Sequence, residues 1–164
     1  MGIKFENVYL RCSLTSNGTI PDTGFHGGSP DMFSNGDEPL ANYRAVLATE
    51  ESYAAQPLDL SVVNRDNYCY LRCRNNKNTA VSAKAELFYS KGSLVNWPQN
   101  WTPIPVDVKG TTLNDIPSIP PGGVGVVERP FIWNKPVSIE TNNHYCLIGR
   151  LQTGDSPNPK PDVR

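Results

Sequence analysis

The chain has 164 residues and a mass of 18.1 kDa, the size of one domain with a single core. Hydrophobic residues make up 38%, below the average globular share, while 15 Pro and 13 Gly spread turn chemistry along the chain and argue against a helical bundle. Fifteen Lys and Arg against 16 Asp and Glu leave a formal charge of -1, so no positive field is present to hold nucleic acid or an anionic membrane surface.

Over residues 3–14, Ile3, Phe5, Val8, Leu10 and Cys12 keep a period of two with one slip between Phe5 and Val8, which predicts a first strand. Residues 15–42 are dense in Gly, Pro, Asp, Ser and Asn and supply few side chains for a buried face, which predicts a long loop. A loop of that length inside a compact domain is commonly functional or mobile, so it ranks high as a place for recognition. Residues 43–55 are rich in helix formers and stop before Gln56 and Pro57, which predicts one short helix.

Beyond Pro57 the pattern sharpens. Leu58, Leu60 and Val62 alternate as in a strand, and in the next strand Cys69, Leu71 and Cys73 oppose Tyr68, Tyr70 and Arg72. A polar turn follows at residues 75–79, and then Val81, Ala83, Ala85, Leu87 and Tyr89 mark one face of another strand. Residues 91–121 are punctuated by prolines, which remove ladder donors and leave room for short edge strands, one near residues 104–108. Residues 122–133 start a strand that Pro130 interrupts or bends, residues 144–151 supply a last strong one, and the tail at 152–164 has no apolar pattern. About seven short strands and at most one short helix predict an all-β fold, an antiparallel β-sandwich with long loops. It is expected as a single domain, 1–164: an N-terminal strand and loop (1–56), a sandwich core (57–151) and a loose tail (152–164).

Three pieces of the chain, NYCYLRCRNNKNTAVSAKAELFYS, IPPGGVGVVERPFIW and HYCLIGRL, together resemble the bacterial immunoglobulin-like sandwich domains called CARDB, the cell-adhesion-related domain found in bacteria. They are similar to that family's strand with a closing turn and its partner strand, its Pro-Gly turn before a strand ending in Trp, and its last core strand. Asn78 and Thr79 stand where such domains often carry a glycine, and residues 91–121 exceed the usual connection. The resemblance covers residues 67–151 and implies an immunoglobulin-like fold. It further implies an accessory module for adhesion, presentation or assembly, with no catalytic residues and no cofactor to carry across.

Cys69 and Cys73, four residues apart on one strand face, have Cα atoms about 13 Å apart, beyond disulfide reach. An immunoglobulin-like sandwich could bring Cys146 opposite one of them, with Trp97 or Trp133 against the bridge, leaving Cys12 for the other. Four buried free thiols are the favoured alternative, because the start MGIKFENVYL has no basic region followed by an apolar one and so supplies no oxidising route. The same feature, with no apolar run near the ~20 residues that span a bilayer, predicts no membrane insertion. The chain is expected to be cytoplasmic or exported by a route without a cleaved signal. Zinc is disfavoured, since Cys69 and Cys73 are too far apart on a strand and neither His26 nor His144 sits in a second ligand pair.

His26, Gly27, Gly28 and Ser29 are similar to the oxyanion turn of esterases, yet the G-x-S-x-G elbow is absent, so a small hydrolase using Ser29, His26 and Asp31 is the remote alternative. His144 stands two residues before Cys146, where immunoglobulin strands often carry a tyrosine that bonds to backbone, and is taken as structural. Asp22, Asp31, Asp37 and Glu38 gather oxygen ligands in the long loop and are weaker candidates for Ca2+, against the simpler account of a solvated acidic loop. Trp97, Gln99, Asn100 and Trp101 form the best ligand-like patch: indoles stack on apolar sugar faces and amides bond hydroxyls, unless both rings seal the open end of the sandwich. The expected function is a non-enzymatic binding module, monomer or weak oligomer, presenting residues 15–42 and 91–121 to a protein or glycan partner. Assembly through sheet edges is the alternative from a different class.

Overall fold

The computed structural model describes residues 2–22, 28–138 and 144–154. Two long strands, β5 (Asp66–Asn75) and β6 (Val81–Lys91), organise it, each carrying the period-two pattern that buries one face. Around β5 lie β10 (Phe131–Asn134) and β9 (Val124–Val126) on one side, and β4 (Met32–Ser34) and β2 (Val8–Tyr9) on the other, all antiparallel. Around β6 lie β11 (Tyr145–Thr153) on one side and β7 (Thr102–Pro103) with β8 (Asn114–Ile119) on the other. A small ribbon of β1 (Ile3–Lys4) and β3 (Thr19–Ile20) completes the set. The fold is therefore all-β and antiparallel, a sandwich built on a five-stranded and a four-stranded sheet. Among the described residues, no helix is long and apolar enough to cross a membrane.

Between the sheets, Cys69, Leu71 and Cys73 of β5 meet Ala83, Ala85 and Leu87 of β6 in one buried cluster that takes in Ile104, Ile116, Ile119, Val127, Phe131 and Trp133. Close approach needs glycine at one point in particular. A Cβ at Gly125 of β9 would stand 2.6 Å from the Ile119 side chain and 2.8 Å from that of Ile116.

The opposite face of β5 is also covered. Tyr70 and Arg72 are buried there under two short helices, α1 (Tyr43–Leu47) and α2 (Glu50–Tyr53). The Tyr43 ring lies 4.8 Å from that of Tyr70, and the Tyr70 hydroxyl accepts the Leu40 N–H at 2.8 Å. The single helix expected over 43–55 is divided because Thr49 turns extended and caps α2, its Oγ1 accepting the Ser52 N–H at 3.1 Å.

Elsewhere the chain departs from the expected strands. The first strand is broken into β1 and β2, which pair with different partners, β1 with β3 and β2 with β5. The long loop contains β3 and β4, and Phe33 and Ser34 of β4 are buried against β5. Residues 57–63 lie outside the sheets, with Leu58 76% exposed. In the proline-rich segment the strands are β7 and β8 rather than 104–108, although Ile104 and Val106 are buried as core residues. β11 runs on to Thr153, past the boundary expected for the tail.

Candidate functional site

At one end of the sandwich, residues 102–106 pass from one sheet to the other. Ile104 gives its N–H to Leu87 of β6 at 2.8 Å, Pro105 accepts the Ile132 N–H of β10 at 2.7 Å, and Val106 gives its N–H to Thr111 at 2.7 Å, closing a turn. Proline at 103 and 105 keeps the strap extended and stops it from continuing as a ladder. Between the strap and β10 opens a cleft of about 720 Å³, lined by Tyr89, Ile104, Val106, Ile132 and Trp133, with Asp66, Asp107 and Asn134 among its polar groups.

Its floor is aromatic. Tyr89 and Trp133 rings lie 5.5 Å apart, and Tyr145 meets both edge-on at 5.7 and 6.4 Å. Trp133 is only 3% exposed, and its indole N–H has no hydrogen-bond partner among the described residues. A buried donor left unpaired costs about 1–3 kcal/mol. The Asp66 carboxylate accepts from the Asn134 amide at 3.1 Å. Asp107 accepts the N–H groups of Lys109 and Thr111, both at 3.0 Å, and faces Arg129 at 3.4 Å; the Thr111 N–H above all holds its carboxyl below the usual carboxylate range.

The patch foreseen at 97–101 is only partly assembled. Trp101 turns inward: its ring lies 5.9 Å from Phe88 and its Nε1 donates to the Val95 carbonyl at 2.8 Å. Trp97 is 56% exposed, and Gln99 and Asn100 stand exposed on the turn between them. Thus one indole seals the fold and the other is open, so the two rings do not offer a paired stacking surface.

The acidic loop residues are not gathered for Ca2+. Asp31, taken as a solvated ligand, is fully buried and engaged by arginine: it faces Arg11 Nη2 at 2.6 Å, accepts the Arg11 backbone N–H at 2.8 Å, and lies 3.5 Å from Arg72 Nε. Asp37 pairs with Arg65 at 3.0 Å, Asp22 accepts from the Cys12 thiol at 3.1 Å, and Glu38 is exposed. Among the described residues no group of three or more His, Cys, Asp and Glu is placed to hold a metal.

Asp31 instead anchors a buried polar network that the sequence reading missed. Arg11 also donates to the Tyr53 carbonyl at 2.7 Å, and Arg72 donates to the carbonyls of Ser52 and Pro30, each at 3.0 Å. The guanidinium carbons of Arg11, Arg74 and Arg72 lie 3.3, 4.3 and 5.4 Å from the centre of the Tyr53 ring. Arg74 binds Glu50 of α2 at 2.7 Å, a contact that lowers the Glu50 carboxyl below its ordinary range. Burial pushes the Tyr53 phenol up and the Arg72 guanidinium down, the latter against the opposing pull of Asp31. Arg11 and Arg72 stand in the outward phase of alternating segments, where a solvent-facing charge is expected, so the sequence pattern carries no signal for their burial.

Ser29 donates to the Arg11 carbonyl at 2.6 Å and accepts the Asp31 N–H, while His26 lies outside the described residues. The carboxylate required to orient a catalytic histidine is thus committed to arginine. His144 is exposed and stands just before β11; its carbonyl accepts the Gly92 N–H at 2.7 Å. Cys12, Cys69, Cys73 and Cys146 are free thiols. Burial raises all four, Cys69 to about 12.

The fold and cleft together define an all-β sandwich with an aromatic-floored cleft at a strapped end. Compared with known proteins, the chain matches no family model, no curated protein and no solved structure.

Proposed function

We propose that this domain is a non-enzymatic binding module whose recognition surface is the cleft between residues 102–110 and β10. The observation that carries this reading is the cleft itself. At about 720 Å³ it falls within the ~300–1,000 Å³ of ligand pockets, with an apolar lining and a few polar groups. It belongs to the proline-rich segment 91–121, a loop region set on paired strands, which is the usual division between recognition and support. A protein partner is preferred to a glycan because Trp101 is packed against Phe88 and leaves Trp97 as a lone open ring. The resemblance to CARDB domains supports the same accessory role.

The test is chemical-shift mapping of the 15N-labelled chain against a panel of peptides and oligosaccharides. Saturable shifts concentrated on residues 102–107 and 131–134 are expected. Shifts that cluster elsewhere, or none with any probe, would overturn the reading. A second reading, assembly through a sheet edge, is favoured by β11, which pairs with β6 and no other strand among the described residues. Light scattering in which mass rises with concentration would place that reading first.

A further inference from the structure

Resting on that binding reading, we infer that the cleft takes an extended, proline-containing peptide segment bearing a basic side chain. The first support is the wall. Pro103 and Pro105 have no backbone N–H, the Ile104 N–H is committed to Leu87, and the Val106 N–H is committed to Thr111. Residues 103–106 therefore offer a ligand no backbone donor. Strand addition needs alternating donors and acceptors along an edge, so a β-strand ligand finds no ladder here. A polyproline II segment needs none, since its backbone makes no regular hydrogen bonds and its prolines bring no N–H to satisfy.

The floor gives the second support. Polyproline segments dock in aromatic-lined grooves, and here the half-buried Tyr89 ring lines the cleft with the half-buried Pro105 and Ile132. A sugar would need an open indole face for stacking, and Trp133 at 3% exposure offers none.

Charge gives the third. The lining residues include Asp66 and Asp107 but no Lys, Arg or His. Asp107 is already occupied by Arg129 and two backbone N–H groups, whereas Asp66 is exposed and accepts from the Asn134 amide. Asp66 is thus the carboxylate placed to receive a guanidinium or ammonium group of the ligand.

Calorimetry and 15N mapping with the full chain test this, using the synthetic peptide Ac-Pro-Pro-Arg-Pro-Pro-Arg-amide, its Glu-for-Arg and Ala-for-Pro analogues, and a set of neutral oligosaccharides. The arginine peptide is expected to bind saturably at residues 102–107 and 131–134, roughly tenfold tighter than either analogue. Asp66→Asn, at an exposed site, should weaken it about five- to tenfold. Equal binding of all the peptides, or binding indifferent to Asp66→Asn, would overturn the inference. If only oligosaccharides or the analogues shift the cleft, the peptide inference fails while the binding reading stands; if no probe shifts it, both fail.

Discussion

Asp31 has no exposed surface and meets two guanidinium groups, so its charge is compensated only while Arg11 and Arg72 stay in place. Through them it ties the chain after β2, the start of β4, α2 and the outer face of β5 into one layer. Removing one partner of a buried ion pair leaves the other charge unpaired, at a cost of about 3–5 kcal/mol. Asp31→Ala is therefore expected to lower the free energy of urea unfolding by that amount. Asp31→Asn, which keeps an oxygen for the Arg11 backbone N–H, should lose less. A loss below about 1 kcal/mol for Asp31→Ala would show that water replaces the carboxylate and that the network is dispensable. From the sequence alone Asp31 is one more acid in a Gly- and Pro-rich loop. Its role depends on Arg72, seventh in a strand whose neighbours Leu71 and Cys73 point into the sandwich, and no local pattern tells an outward arginine in water from one under a helix.

At the scale of elements, β5 was readable because it is ten residues long and alternates throughout, and β6 and β11 were readable for the same reason. The elements that β5 recruits were legible in part: β2 falls within the strand expected over 3–14 and β9 and β10 within that expected over 122–133, whereas β4 is three residues inside the expected loop, too few for a period to be counted. Residues 57–63 fail in the opposite direction. They alternate, yet their bonds go to Ser34 and to the side-chain amide of Asn67, which brackets Val62 at 2.7 and 2.8 Å in place of a neighbouring strand. The cleft was half legible: proline-rich 91–121 was expected to recognise a partner, but its residues meet Trp133 only through the strap across the sheets. Packing between elements turns on Gly125, where a methyl group would press on Ile116 and Ile119, both fully buried. Gly125→Ala should cost about 1–3 kcal/mol in urea unfolding, and Ile119→Val in the same chain should return part of it. Full stability in the single variant would mean that β8 and β9 have room the packing denies.

For the whole molecule, the desolvated acids set a limit on alkaline stability. Four thiols and the phenols of Tyr9, Tyr43, Tyr53 and Tyr70 are all raised, burial being the largest cause in each. A group raised in the folded state holds its proton there after the unfolded chain has released it. In that window the folded state binds more protons, and stability falls as pH rises. The loss should begin near the ordinary thiol value of 9.0, steepen past the phenol value of 10.0, and for Cys69 continue to about 12. Each unit of separation between folded and unfolded values removes about 1.4 kcal/mol once both are passed. On the acid side the sign reverses: Glu50 and Asp107 are lowered, so their contribution is present above the ordinary carboxyl range and fades as pH falls through it. Urea unfolding with reductant present is expected to give a plateau from about pH 5 to 8 with a decline on both sides. Measured relative to each chain's own value at pH 7, the alkaline decline should be shallower in Cys69→Ala, because one strongly raised buried thiol is gone. An alkaline limb of equal slope in both chains would assign the decline to the phenols instead, and a flat profile to pH 10 would show that the buried thiols lose their protons without opening the sandwich.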